Sequence, residues 1–149
     1  SRRFVEVRSN KALNIKDRQF KGLLKFEKPD TFIMNYDNGE DFVIEGGKMT
    51  INRDGKVVQF DLAKNKLMAG LSHTLLYSFG GRLQDLATEQ KSDIKAEKSG
   101  NGYLVTLTAT KKLPKGYSRI EVLYSLKDYS VVTILMEEFG GARTLNSWE

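Results

Sequence analysis

Residues 20–36 read FKGLLKFEKPDTFIMNY, and this stretch decides how the chain folds. A strand places alternate side chains on opposite faces, so Phe20, Leu24 and Phe26 predict one apolar face that ends at Lys28. Pro29 has no N–H to donate to a strand ladder and is expected to end the strand. Alternation resumes after it in TFIMNY, so the stretch predicts two strands separated by a bend.

Lys28 is the one cation at the end of this apolar row. A charge on an apolar wall costs free energy unless it is hydrated, paired or used. Two alternatives follow from the pattern. The ammonium extends to water from a strand end, or it bonds backbone carbonyls of a segment that covers the wall.

Turn signals separate short alternating segments along most of the chain. Asn38-Gly39, Asp54-Gly55 and Asn101-Gly102 are typical of tight hairpins, because both positions accept positive φ. Gly46-Gly47 and Lys127-Asp128 indicate further reversals. We predict strands at 4–8, 19–28, 31–37, 41–45, 48–52, 56–61, 93–97, 103–110, 118–125, 130–138 and 143–148. Strands at such close spacing favour an antiparallel meander over β-α-β units.

The segment from Leu67 to Leu86 breaks the strand period. Its apolar residues recur mostly three or four positions apart: Leu67, Leu71, Leu75, Leu76, Phe79, Leu83 and Leu86. The segment is therefore predicted to be helical, and Gly80-Gly81 is expected to divide it in two. We predict one α+β domain over residues 1–149. Its strongly curved antiparallel sheet, an incomplete barrel, carries helical lid segments on the concave face.

The predicted strands carry more large apolar side chains than so short a helical segment can cover. The rows that share a face are Tyr103, Val105 and Leu107, then Ile120, Val122 and Tyr124, then Val132, Ile134 and Met136. Such a sheet either closes into a barrel filled by its own side chains or leaves a concavity for something else. The second alternative predicts a protein that holds a ligand in the concavity of its sheet.

The composition excludes several classes of protein. A chain of 149 residues with 40% hydrophobic and 29% charged residues is long enough for a real core. The net charge of +5 is spread among acidic residues, which favours a solvated surface over nucleic-acid binding. No apolar run reaches the length of a membrane span, and SRRFVEVRSN at the start lacks the apolar region of a signal peptide. Without cysteine, disulfides and thiol chemistry are excluded.

No catalytic constellation is apparent in the sequence. His73 is the only histidine and lies in the amphipathic segment, where a helix-surface or lid position is expected. Glu137 and Glu138 are successive strand residues, which point to opposite faces and cannot share a substrate without a bulge. No clustered set of metal ligands is present, and no cofactor is predicted. The sequence favours binding over catalysis.

Three segments, in this order along the chain, resemble the outer-membrane lipoprotein carrier family, LolA. GLLKFEKPDTFIMNY at 22–36 resembles its strand pair around a basic residue and a proline. EGGK at 45–48 resembles its glycine turn, and MEEFGGARTLNSW at 136–148 resembles its last two strands. The resemblance covers most of the chain.

The resemblance implies a non-enzymatic periplasmic carrier or chaperone that holds acyl chains in a hydrophobic cavity. Its implied partners are acylated lipoprotein or lipid cargo, an inner-membrane exporter and an outer-membrane acceptor, without nucleic acid, stable membrane insertion or a stable oligomer. The family's basic residue before the proline, which latches the lid, falls on Lys28, although lysine makes fewer directed bonds than arginine. The helix that precedes the family's first strand has no counterpart in this sequence.

The expected acyl-cavity residues are apolar and lie on predicted strands or on the lid. They are Leu24, Phe26, Phe32, Met34, Tyr36, Phe42, Ile44, Leu71, Leu75, Leu76, Phe79, Tyr103, Val105, Ile120, Val122, Ile134 and Met136. Each is also compatible with an ordinary core. Gly80 and Gly81 are expected to form either the lid hinge or a plain connector. A lipid- or lipoprotein-sensing interaction domain is the alternative function, and an enzyme with a carboxylate-based site is the third.

Overall fold

The computed structural model describes residues 2–112 and 116–149, and within them eleven strands form one antiparallel sheet. The strands are β1 (Arg2–Asn10), β2 (Ile15–Glu27), β3 (Thr31–Tyr36), β4 (Asp41–Glu45), β5 (Lys48–Arg53), β6 (Lys56–Asp61), β7 (Ser92–Ser99), β8 (Gly102–Ala109), β9 (Tyr117–Ser125), β10 (Val131–Glu138) and β11 (Ala142–Trp148). Helices α1 (Lys66–Phe79) and α2 (Leu83–Glu89) lie between β6 and β7, and a 3-10 turn, Lys11–Leu13, lies between β1 and β2.

The sheet consists of two meanders joined at its centre. Strands β1 to β6 pair in sequence on one side, and β7 to β11 pair in sequence on the other. The meanders meet where β1 pairs with β11, for example at Phe4 and Trp148. Strands β6 and β7 form the two edges, so the sheet is open. The predicted antiparallel meander and incomplete barrel are confirmed.

The bend predicted at Pro29 is confirmed. Strand β2 ends at Glu27, residues 28–30 form a turn, and β3 begins at Thr31. Asp54 and Gly55 both have positive φ, as the hairpin pattern requires. The turn predicted at Asn101-Gly102 lies one residue earlier, because Gly100 takes the positive φ and Gly102 already begins β8.

One predicted face is wrong by one residue. The pairing of β10 with β9 shifts register between Val131 and Thr133, and such a bulge changes which side chains point inward. Val131 is therefore buried, and Val132 is only half-buried. Ile134 and Met136 face the core as predicted.

The helical segment divides at Gly80-Gly81, as predicted. Asn65 caps the amino end of α1, and its side-chain oxygen accepts the backbone N–H of Met68 at 3.0 Å. Gly80 caps the carboxyl end of α1 and donates its N–H to the carbonyl of Leu76 at 2.9 Å. Gly81, with a φ of +70°, then takes the left-handed conformation that redirects the chain into α2.

The sheet curves around α1. This helix contacts β3 on one side and β10 on the other, although β2, β1 and β11 lie between those strands in the sheet. Leu75 and Leu76 of α1 belong to the same buried cluster as Phe4 and Ile134 of the sheet. The predicted placement of a helix on the concave face is confirmed, and we call α1 the lid helix.

Candidate functional site

Most of the expected cavity residues belong to one apolar layer, which the lid helix and the concave face of the sheet form together. The buried ones are Leu24, Phe32, Met34, Ile44, Leu75, Leu76, Ile120, Val122, Ile134 and Met136. The half-buried ones are Phe26, Tyr36, Phe42, Leu71, Phe79 and Val105, which pack against this cluster. In this conformation the concavity is thus largely filled by the lid helix.

Tyr103 lies apart from the other expected cavity residues. Its side chain is 36% exposed, and it does not belong to the buried cluster of the described residues. It follows the turn between β7 and β8, next to the free edge of the sheet. Its face was assigned from alternation alone, which does not reveal that the strand lies near an edge.

Two clefts open into the apolar layer. The first, of about 300 Å³, lies at the carboxyl end of the lid helix and is lined by Arg2, Leu24, Phe26, Phe79, Tyr129, Ser130 and Val131. In it, the ring of Phe79 packs against those of Phe26 and Trp148 at centroid distances of 5.6 and 5.0 Å. This cleft brings three of the expected cavity residues together.

The second cleft, of about 220 Å³, lies beside the amino-terminal half of the lid helix. Its apolar wall is formed by Met34, Phe42, Ile51, Leu71, Leu75 and Met136. Its other lining residues are polar or aromatic: Glu6, Arg8, Tyr36, Glu40, Asp41, Arg53, Tyr117, Glu138, Thr144 and Asn146. The expected cavity residues Phe32, Ile44, Leu76, Val105, Ile120, Val122 and Ile134 line neither of these two clefts.

An ion pair between the buried Glu6 and the half-buried Arg8 forms the polar floor of the second cleft. Glu6 is 4% exposed, and its carboxylate accepts the Nε–H of Arg8 at 2.6 Å and the hydroxyl of Tyr36 at 2.9 Å. Burial, together with the neighbouring Glu6 carboxylate, raises the pKa of the Tyr36 phenol well above its ordinary value. The guanidinium of Arg8 also lies over the ring of Phe20, 4.3 Å from its centroid.

Asn146 adjoins this ion pair. Pairing of β1 with β11 sets Asn146 opposite Glu6. Asn146 is 2% exposed, and its side-chain oxygen has no hydrogen-bond partner among the described residues. An unpaired buried acceptor is uncommon and calls for an explanation.

Hydrophobic patterning alone does not indicate this polar floor. In FVEVR, at residues 4–8, alternation permits an inward row of either Val5 and Val7 or Phe4, Glu6 and Arg8. Hydrophobicity favours the first row, but the structure buries Phe4 and Glu6. Only the pairing with β11 reveals that the concave face changes from apolar at Phe4 to polar at Arg8.

Lys28 and His73 lie outside both clefts. Lys28 is exposed in the turn after β2, and within the described part of the chain its ammonium makes no hydrogen bond or ion pair. The predicted latch is therefore not formed in this conformation. His73 lies on the lid helix, 2.7 Å from the carboxylate of Glu89 on α2. Among the described residues no three acidic or histidine side chains are grouped to hold a metal ion.

Among known proteins, this chain is similar to solved structures at low sequence identity. No family model matches the chain, and no curated protein matches it. The chain is similar to a LolA superfamily protein from Nitrosomonas europaea, with 7% identity, coverage of 99% of this chain and 82% of that one, and a TM-score of 0.43. The chain is also similar to the Mycobacterium tuberculosis lipoprotein LppX, with 11% identity, coverage of 99% of this chain and 84% of that one, and a TM-score of 0.43.

A chain of the Pseudomonas aeruginosa MucA/MucB complex is similar at 11% identity, with 99% of this chain and 50% of that one covered and a TM-score of 0.44. At these identities and TM-scores, the functional argument has to come from this chain's own residues. Those residues define an open antiparallel half-barrel with a helical lid in its concavity. No helix in the described ranges has both the length and the apolar character that crossing a bilayer requires.

Proposed function

We propose that the protein is a non-enzymatic carrier that binds the acyl chains of lipoproteins or lipids between its lid helix and its sheet. The observation that carries this proposal is the apolar layer under the lid helix, into which two clefts open, one at the carboxyl end of that helix and one along its side. A layer of this kind has the chemistry of an acyl-chain site, because each buried methylene contributes about 0.8 kcal/mol.

The contacts of the lid helix make it exchangeable for an acyl chain. In the described ranges, one side-chain hydrogen bond joins it to the sheet, from the Tyr124 hydroxyl to the carbonyl of Ser78 at 2.6 Å. Its other side-chain hydrogen bonds outside the helix, from His73 to Glu89 and from Gln90 to Thr74 and the Gly70 carbonyl, lead to α2 and its carboxyl end. The interface between the lid helix and the sheet is thus mainly apolar. An acyl tail can make apolar contacts of the same kind with the sheet.

The lid must move for a ligand to enter. Clefts of about 220 and 300 Å³ lie below or at the bottom of the range of about 300–1,000 Å³ typical of small-molecule sites. Gly80-Gly81 lies where α1 and α2 join and is the proposed hinge. Ligand binding then selects an open state that is only modestly less stable than the closed one.

The cellular role in this proposal is transport through the periplasm to the outer membrane. The partners would be an inner-membrane exporter, the acylated cargo and an outer-membrane acceptor. The test is binding of an N-acylated peptide that carries an environment-sensitive dye, against the same peptide without the acyl chain. Acyl-dependent binding at micromolar concentration supports the carrier. Equal binding of both peptides would favour an interaction domain that recognises protein, and no binding of either would contradict the proposal.

Filling the second cleft should weaken acyl binding. Ile51 is half-buried on its wall, so Ile51→Trp places extra bulk where the ligand tail enters. We expect affinity for the acylated peptide to fall about tenfold, equivalent to about 1.4 kcal/mol. Leu23→Trp is the matched control, because Leu23 is 43% exposed on the outer face of β2 and should not alter binding. Unchanged affinity in a folded Ile51→Trp variant would remove the second cleft from the site.

The latch proposed for Lys28 is tested separately from the proposed acyl-binding cavity. If its ammonium bonds lid carbonyls in a conformation other than this one, Lys28→Leu should change acyl affinity at least severalfold. Thermal stability should stay nearly intact, because Lys28 is exposed in the closed state. Acyl-peptide binding and thermal unfolding are measured on the same variant. Unchanged affinity with preserved stability would contradict the role of Lys28 as a latch and would not affect the proposed acyl-binding cavity.

A further inference from the structure

The hairpin that joins β1 to β2 exposes apolar side chains at its end. Leu13 is 66% exposed and Ile15 is 51% exposed. Single exposed apolar side chains are common on protein surfaces, but these two lie within three positions of each other at the end of one hairpin. We propose that residues 10–18, the hairpin tip, form a contact site for an anionic lipid bilayer, into whose surface Leu13 and Ile15 insert.

The hairpin tip extends beyond the strand that flanks it. Strand β2 begins at Ile15, but its pairing with β3 begins only at Gly22. The first five residues of β2 therefore adjoin β1 alone, and all five are exposed. The turn between β3 and β4 is bonded to β2 at the carbonyl of Lys21. At about 3.3 Å per residue, Ile15 lies about 20 Å past that turn, so a flat surface can reach it first.

The tip has a defined conformation. The side-chain oxygen of Asn10 accepts the backbone N–H of Leu13 at 3.3 Å, across the 3-10 turn. Asn14 has a φ of +53°, a conformation that asparagine adopts more readily than most residues. The turn between β10 and β11 lies alongside, where a β-carbon on Gly141 would be 2.9 Å from that of Ala12. The apolar pair is thus presented without the ordering cost that a flexible loop pays on binding.

The charges around the apolar pair are mainly positive. Residues 10–20 include three basic residues and one acidic residue, Asp17. The side chains of Lys16 and Arg18 are exposed, and neither forms an ion pair with another described residue. Each basic side chain close to an anionic membrane surface strengthens binding by about fivefold. Apolar side chains flanked by unpaired cations are suited to the interface of an anionic bilayer.

Arg18 is the cation whose surroundings most favour an external anion. It lies directly opposite Arg8 in the pairing of β1 with β2, an arrangement that destabilises a strand pair when both charges are uncompensated. Arg8 is compensated by Glu6 at 2.6 Å, whereas Arg18 contacts the ring of Phe20, 5.2 Å from its centroid. A lipid phosphate would supply the missing negative charge, and the guanidinium fork matches its geometry.

The shape of the tip favours a bilayer over an acidic peptide. Leu13 and Ile15 line neither of the two clefts, and they lie at the outer end of a hairpin. A peptide side chain is bound tightly where a pocket encloses it. A bilayer needs no pocket in the protein, because its own apolar layer encloses the side chains that enter it.

The same end of the sheet carries further positive charge and the second cleft. Strand pairing aligns Arg8 of β1 with Leu107 of β8 through one residue of each intervening strand. Past this row lie the hairpin tip and, on the other meander, the exposed Lys111 and Lys112. Arg8 also lines the second cleft. A bilayer that contacts this end of the sheet therefore lies close to that cleft.

Co-sedimentation of the full chain with lipid vesicles tests the proposal. One set of vesicles is phosphatidylcholine alone, and in the other roughly a third of the lipid is phosphatidylglycerol. We expect binding to the anionic vesicles to be at least tenfold tighter, and to weaken as the salt concentration rises. No binding to the anionic vesicles, or equal binding to both sets, would overturn the proposal.

Two double variants then test the tip itself. Leu13→Ser combined with Ile15→Ser should weaken binding to the anionic vesicles about tenfold, because the side chains that insert are removed. Lys16→Glu combined with Arg18→Glu should weaken it by more than tenfold, because two attractive charges become repulsive. All four side chains are exposed, so both variants should fold. Native-like vesicle binding by both variants would exclude the hairpin tip as the contact site.

Leu23→Ser and Lys98→Glu are the matched controls. Leu23 is 43% exposed on the outer face of β2, and Lys98 is exposed beside the turn between β7 and β8, at the opposite end of the sheet. Neither change should alter vesicle binding. If the tip variants changed the oligomeric state of the chain but not its vesicle binding, the tip would be a contact between copies and the proposal would be wrong.

This inference and the proposed function can fail separately. The tip variants should bind the acylated peptide in free solution with native affinity, because Leu13, Ile15, Lys16 and Arg18 line neither cleft. Vesicle binding without acyl-peptide binding would retain the membrane contact and contradict the carrier. Acyl-peptide binding without vesicle binding would do the reverse.

Discussion

Replacing Gly22 with alanine is expected to destabilise the protein by more than about 3 kcal/mol. Gly22 lies in β2 opposite Phe4 of β1 and Tyr36 of β3. A β-carbon at this position would overlap the backbone oxygen of Asn35 and lie 2.8 Å from the ring of Phe4. Overpacking typically costs about 1–3 kcal/mol, and here one of the obstacles is a strand backbone that cannot rotate away.

Gly70→Ala is the matched control for this prediction. Gly70 lies within the lid helix, and the nearest atom to an added β-carbon is the Gln90 amide nitrogen at 3.9 Å. Alanine should therefore stabilise the helix by about 0.5–1 kcal/mol. Urea unfolding of both variants measures the difference. If the free energy of unfolding of Gly22→Ala were within about 1 kcal/mol of that of the native chain, the strands around Gly22 would have to shift enough to admit the β-carbon, and the prediction would be wrong.

The close approach at Gly22 illustrates what sequence reasoning reached and what it missed. Alternation in residues 20–36 puts Gly22 on the same face as Phe20 and Leu24, and the structure buries Gly22. Alternation did not predict that Phe4 would lie over Gly22, because that contact depends on the register between β1 and β2. Local periodicity gives the face of a residue, whereas register gives its neighbours.

The fold was largely predictable because its signals are local. The bend at Pro29 and the division of the helices at Gly80-Gly81 follow from the backbone properties of those residues. The bulge at Val131 was not predictable, because a bulge depends on how two strands pair and leaves no mark on hydrophobic alternation.

The candidate site was predictable only in its apolar part. Phe79, Leu71 and Leu75 were expected at the lid from helical spacing, and the structure sets them beside the two clefts. The polar floor joins Glu6 from β1 to Asn146 from β11, at opposite ends of the sequence. No spacing rule connects such residues, so only the closure of the two meanders at the centre of the sheet reveals the pair.

Under the proposed function, the ligand-free and ligand-bound states differ mainly in whether the lid helix or the ligand tail covers the concave face of the sheet. In the closed state the lid helix buries Leu75 and Leu76 against strands on both sides of the concavity. A ligand tail that enters from either cleft competes for the same apolar surface. The affinity then depends on the difference between the apolar area that the lid helix buries and the area that the ligand tail buries, and under the proposed function a small difference would allow release of the ligand.

A steep loss of stability above pH 10 is the second large effect expected. Burial raises the pKa of three phenols, those of Tyr36, Tyr117 and Tyr124, well above the ordinary value of 10.0. Carboxylates add to this at two of them, Glu6 beside Tyr36 and Glu138 near Tyr117. In the unfolded chain the same phenols ionise near their ordinary pKa, so above pH 10 the unfolded state releases protons that the folded state keeps.

The sign and size of the effect follow from that difference. A raised folded-state pKa gives stability that is fully present below pH 10 and is lost as the pH rises above it. Each tyrosine loses about 1.4 kcal/mol by one pH unit above its unfolded pKa, so the three together lose about 4 kcal/mol at pH 11. Small domains have a free energy of unfolding of about 5–15 kcal/mol in total. Urea unfolding at pH 8 and pH 11 measures the loss directly.

Tyr124→Phe identifies the origin of this alkaline instability. The variant loses the hydrogen bond to the Ser78 carbonyl, so it should be about 1 kcal/mol less stable than the native chain at pH 8. It also lacks one phenol that must stay protonated, so its further loss between pH 8 and pH 11 should be about a third smaller. Tyr129→Phe, at a side chain that is 70% exposed, should leave the loss unchanged. If Tyr124→Phe lost as much stability as the native chain over this range, the instability would have to arise from groups outside the buried phenols.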